Sequence, residues 1–297
     1  MLAMQILMKW IDVGTIGYRH YSTLMGRMID EQRVPYQGAV YQNTKENFRR
    51  NLQGILQQAD IAGVPVMISE LVSKVRDQPP FTSIESGEFP AADVVYQQAN
   101  QQVVDGNYQR AKETYFRAKD LDALRFRAPE EFNDVIHQIA EEFSVPVVPM
   151  KHYFEQASPN GLVGENLMLE HLHPNVDGAH LMAAAFFDAL RKHGFISREW
   201  NEVLIKSMAF YSGEWPVTEL DRALGRLRVM HLMDNWPFSP LDAPGNAFEH
   251  YQPGSMAEEL AYRDAKRELG FEQARIDLAK YMNHKNSLRW RCLNIAH

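Results

Sequence analysis

Two short runs set the limits on what this chain can fold into: Gly63-Val-Pro-Val-Met-Ile-Ser69 and Ser144-Val-Pro-Val-Val-Pro-Met150. Each is apolar, rich in β-branched residues and preceded by an amphipathic helical stretch, as a buried parallel strand would be. The first stretch, 43–62, puts Phe48, Leu52, Ile55 and Leu56 on one face, with Thr44 near its start. The second, 130–143, carries Phe132, Val135, Ile136 and Ile139. Helix, short connection and strand, twice over, predict a doubly wound α/β sheet. In such sheets ligands bind beyond the carboxyl ends of the strands, here 69–77 and from Met150 onward. Two parallel strands do not make a stable sheet, so the pattern predicts a sheet short of its first strands.

Helical readings surround these units. Residues 1–31 carry a broken apolar stripe, Leu2, Ile6, Leu7, Trp10, Met25, Met28 and Ile29, split by Gly14 and Gly17. A helical insertion occupies 91–119, and its second half spaces Gly106, Tyr108, Ala111, Tyr115 and Ala118 for close helix packing. That half resembles the second helix of a tetratricopeptide repeat, although stacking needs about three repeats. Beyond Gly194 helices are predicted over 197–211, 218–233, 257–269 and 271–282. A loop with four prolines and two glycines spans 235–255. Asp221, Arg222, Arg226 and Arg228 read as a solvated helical face opposite Leu220, Leu224, Leu227 and His231.

Composition narrows the function classes. Of 297 residues, 45% are hydrophobic and 23% charged, which fits a globular chain rather than a disordered one. A net charge of −7 argues against a nucleic-acid-coating surface. The single Cys292 cannot form an internal disulfide. No apolar run approaches the ~18 residues of a membrane span, and Lys9 and Asp12 interrupt the apolar opening too early for a signal peptide. As written, the chain is expected in the cytoplasm; a longer gene product could be anchored or exported.

The densest chemistry lies in Leu169-Glu170-His171-Leu172-His173-Pro174-Asn175-Val176-Asp177-Gly178-Ala179-His180. Three readings compete. A metal site would draw on His171, His173 and His180, but His173 and His180 are seven apart, not the four that share a helical face. A structural turn follows from Pro174 and Gly178. Half of a catalytic triad follows from Glu170 standing three residues before His173, where a carboxylate can hold the tautomer of a base imidazole.

Glu170-His-Leu-His173-Pro-Asn-x-x-Gly178 resembles the last block of the SGNH, or GDSL-type, ester hydrolases, acid-x-x-His-Pro. Residues 63–81 are similar to the central strand and following loop of bacterial members that carry a tetratricopeptide-like insertion. Residues 106–129, Thr218-Glu-Leu-Asp221 and Trp236-Pro-Phe238 look like their insertion and helical tail. The resemblance covers residues 35–240. It implies a flavodoxin-like three-layer α/β sheet, with residues 1–194 a partial hydrolase domain, the insertion at 91–128, and 195–297 an all-α extension. It also implies His173 as general base and Glu170 as the acid that orients it, with no cofactor and no metal.

No Gly-Asp-Ser, Gly-x-Ser-x-Gly or Gly-x-Asn-acid block occurs in this chain. Ser69 and Ser73 lie on the expected side of the sheet as stand-in nucleophiles, but nothing supplies a strained elbow or oxyanion donor for them. Arg76 and Asp77 could line a cleft or form an ion pair. The expected activity is acyl-ester hydrolysis or acyl transfer on an acyl-ester small molecule or acylated carbohydrate, inactive without a complementing amino-terminal segment. Self-association is the expectation for exposed sheet edges. The alternative is a non-enzymatic helical protein-interaction module. No nucleic-acid partner and no membrane span are expected.

Overall fold

The computed structural model describes residues 33–87, 89–240 and 243–294. The stripe predicted over residues 1–31 lies outside them. The chain divides into two compact units, one formed by 31–229 with 253–297, the other containing 230–252.

The larger unit begins with α1 (Ala39–Ile61), whose apolar face Phe48, Leu52 and Leu56 packs on Val135 and Ile139. Gly63, with φ +65°, ends it, and the Val64 amide donates back to Ala59 at 2.9 Å. Then come β1 (Ile68–Ser69), α2 (Ala92–Val104), α3 (Tyr108–Leu121), α4 (Glu130–Phe143) and β2 (Val147–Val148). After these follow α5 (Met150–Gln156), α6 (Val176–Lys192), α7 (Met208–Gly213), α8 (Glu219–Met233), α9 (Met256–Ala265) and α10 (Phe271–Asn294).

Helices α2 and α3 form the insertion hairpin. Ala92, Ala99, Ala111 and Ala118 are buried along its seam, which lets the backbones approach, and Tyr96 and Tyr115 meet at 5.3 Å between ring centroids. Gly106, with φ +76°, makes the turn. The Tyr96 hydroxyl donates to the Arg76 carbonyl, so the hairpin is pinned to the loop after β1.

The three-layer flavodoxin-like α/β sheet is overturned. Among the described residues the sheet has two parallel strands of two residues each, pairing Ile68 with Val147 and Ser69 with Val148. The architecture is predominantly helical, and it carries no support for the α/β hydrolase classification the resemblance implied. Pro146, which faces β1, has no N–H to give the ladder, so the pairing stops just ahead of Val147. The helix predicted over 197–211 also fails. Ser197 Oγ accepts from the Glu199 amide at 3.1 Å and the Trp200 indole donates to the Ser197 carbonyl at 2.9 Å. These local bonds compete with helix, leaving a 3₁₀ turn at Glu202–Leu204 and the short α7.

The described part of the smaller unit is organised by Asp234. Its carboxylate accepts from the amides of Ala247 (3.0 Å) and Phe248 (2.9 Å), and a Cβ on Gly245 would stand 2.5 Å from its Oδ1. Among the described residues, 235–255 holds no helix or strand. No helix among the described residues is long and apolar enough to cross a membrane.

Candidate functional site

The Glu170 loop is fixed from both sides. Leu169 N donates to the His173 carbonyl at 2.8 Å, and Asn175 N to Leu167 at 2.9 Å. Asn175 caps α6, its side-chain oxygen accepting from Gly178 N at 2.9 Å, while its Nδ2 donates to the carbonyls of Glu165 and Asn166. Gly178 admits no other residue without movement: a Cβ there would lie 2.2 Å from the Leu167 carbonyl oxygen.

Glu170 is 1% exposed. Its Oε1 accepts from the His173 amide at 2.8 Å and meets His173 Nδ1; its Oε2 pairs with His171 Nδ1. Burial pushes the Glu170 carboxyl up, but His171, the His173 amide and the His173 ring outweigh it and bring it down to about 2. His171 is buried between Phe81, edge-on at 5.4 Å, and Phe126 at 5.7 Å. The His173 side chain is 62% exposed. Glu170, ionised, therefore orders one buried and one exposed imidazole, and engagement of Nδ1 directs His173 Nε2 outward as a proton acceptor.

The loop after β1 packs against this one. Lys74 N donates to the His171 carbonyl at 3.0 Å, and the buried Lys74 ammonium reaches Glu165 at 3.3 Å. Arg76 and Asp77 form a two-pronged pair at 2.9 and 2.8 Å, and Asp77 also accepts from Glu165 N at 2.9 Å. Burial pushes Asp77 up, but Arg76 and that amide more than reverse it. Gly164 is required beneath them, since a Cβ would stand 2.2 Å from Asp77 Oδ2. Behind lies the buried pair Arg127–Asp122 at 3.1 Å, with the guanidinium also donating to the Lys74 and Gln78 carbonyls.

The structure thus brings Glu170, His171 and His173 together, and sequence spacing anticipated the first and last as a pair. His180 does not join them; its ring lies against Trp215 at 4.9 Å. Ser69 turns its hydroxyl onto the Glu70 carbonyl at 3.0 Å. The Arg76–Asp77 ion pair forms, braced by the backbone of 164–165. Sequence reasoning missed that His171 shares Glu170 and that Lys74 and Arg127 tie the loops. An Glu-His-x-His string could have flagged the first; the others are long-range contacts with no local spacing. Cavities of 890 Å³ between the starts of α8 and α9 and the side of α10, and of 220 Å³ at His180, Trp215 and Arg222, are lined by residues other than Glu170 and His173.

No family model, curated protein or solved structure matches the chain.

Proposed function

We propose that this chain is a non-enzymatic helical protein-interaction module. The observation that carries the reading is a concentration of exposed large apolar side chains in one stretch: Ile196, Val203, Leu204, Phe210, Tyr211 and Trp215. Single exposed apolar residues are ordinary, and six of them within 20 positions are the feature we read as facing a partner. The helix-dominated architecture and the α2–α3 hairpin support the same reading. The test is chemical. The full chain is treated with a fluorophosphonate probe and assayed for p-nitrophenyl acetate turnover beside His173→Ala. The module reading expects no labelled serine and identical background rates. A serine whose label disappears in His173→Ala overturns it.

A second reading rests on one specific observation, the hold of buried Glu170 on exposed His173. It makes the pair a general base whose hydroxyl substrate is delivered by another molecule. Rescue of the same assay by an added polypeptide, lost in His173→Ala, is its signature.

A further inference from the structure

The carboxyl end of α6 is folded over by the chain that follows it. Gly194, with φ +66°, ends the helix, and the Phe195 amide closes back on the Leu190 carbonyl at 3.1 Å. Ser197 Oγ then turns the chain by accepting from the Glu199 amide, and 198–202 faces the last turn of α6. Arg191 Nη2 reaches both Glu202 oxygens, at 3.3 and 3.2 Å, and ties the two segments. Between them lies an open cavity of 710 Å³, within the ~300–1,000 Å³ of small-molecule sites. Glu170 and His173 are not among its lining residues.

Six of its seven lining residues are charged, and the signs balance: Arg191, Lys192 and Arg198 against Asp188, Glu199 and Glu202. The seventh is Trp200. Its indole is half-buried, donates to the Ser197 carbonyl and stands edge-to-face with Phe187 at 5.6 Å, so the ring is held in place. The Tyr153 hydroxyl likewise fixes Asp188, at 2.8 Å. Among the described residues no ion pair or side-chain hydrogen bond engages Lys192, Arg198 or Glu199, so their donors and acceptors are open to a ligand.

These features narrow the ligand by elimination. An acyl chain or an apolar peptide would find one aromatic ring and otherwise only charged walls. An anion would meet three carboxylates and the negative end of the α6 dipole, and a cation three fixed positive charges. What fits is a neutral molecule rich in hydroxyls and with one apolar face. A pyranose has both: its C–H face stacks on an indole, and its hydroxyls donate to carboxylates and accept from guanidinium and ammonium groups.

We infer that the cavity at the carboxyl end of α6 binds a neutral oligosaccharide, with Trp200 as the stacking platform and Lys192, Arg198 and Glu199 as the hydroxyl-binding groups. The inference goes beyond the interaction-module reading and does not rest on it.

The test uses the full chain and four neutral trisaccharides, cellotriose, maltotriose, mannotriose and N-acetylated chitotriose, with trigalacturonate as the anionic counterpart. Saturation-transfer NMR should show contact with at least one neutral trimer. Titration should give a Kd that Trp200→Ala weakens about tenfold or more. Arg198→Met, on an exposed side chain that makes no bond within the fold, should weaken it about threefold, and thermal unfolding checks that each variant is folded. No binding of any neutral trimer, or binding unchanged in the folded variants, overturns the inference. Binding confined to trigalacturonate overturns it in favour of an anion site. A serine labelled by the fluorophosphonate removes the module reading and leaves this site standing.

Discussion

β1 and the loop that follows it adjoin in sequence and are treated in opposite ways. The loop is closed: Lys74, Arg76, Asp77 and Gln78 are met by Glu165, His171, Val163 and Arg127, and the hairpin pins it through Tyr96. The strand is open along one edge, with Met67 and Ser69 offering backbone groups that no described residue takes. Buried polar groups cost free energy unless satisfied. A chain that spends several ion pairs on one loop and leaves the next four residues half-bare therefore concentrates its rigidity where the loops meet and leaves the edge unbraced.

The largest break in that contrast should come from the closed side. Asp122→Ala leaves the Arg127 guanidinium buried without its carboxylate and strips acceptors from the Phe81 and Thr82 amides. Removing one partner of a buried pair costs about 3–5 kcal/mol, and urea unfolding should show a midpoint reduced accordingly. Next comes Gly164→Ala, where the new methyl would collide with Asp77 Oδ2 at 2.2 Å. About 1–3 kcal/mol is expected for such overpacking, by the same measurement. Gly54→Ala in α1 is its control: a Cβ there meets nothing within 4 Å, so helix propensity should stabilise the chain by roughly 0.5–1 kcal/mol.

An effect of another kind, read along pH, belongs to Glu170. Its carboxyl is held down to about 2 in the fold, against 4.5 ordinarily. The unfolded chain thus takes up the proton first as pH falls. The Glu170 contribution to stability is complete above about pH 4.5 and is lost as pH drops through about 2. Glu170→Gln should flatten that limb of a stability–pH curve. The opposite sign belongs to Asp120. Burial raises it from 3.8 to about 6, with Lys119 opposing. Here the folded chain holds the proton longer, so stability declines between about pH 4 and 6, and Asp120→Asn should remove that decline.

What the sequence made legible was local. The helix over 130–143 appears end to end because its apolar period, Pro129 ahead of it and a break at Ser144 all agree. Ser144 takes a left-handed φ of 54°, and the Val145 amide closes the turn on Ala140 at 2.9 Å. The two apolar runs read as full strands on hydrophobicity alone, which does not register the missing amide of Pro146 on the side that faces β1. Glu170 and His173 were readable as a pair because three residues of backbone bring them together. Arg127 over the carbonyls of Lys74 and Gln78 was not, since that contact joins segments some 50 positions apart and has no period to betray it.

Amide exchange of the free chain, resolved residue by residue by NMR, tests the central contrast most directly. Ile68 and Glu70, which donate to β2, should be protected, while Met67 and Ser69 on the same strand should exchange at rates near those of exposed amides. Equal, strong protection of all four would mean that the edge is already covered, and the account of β1 as an open surface would be wrong.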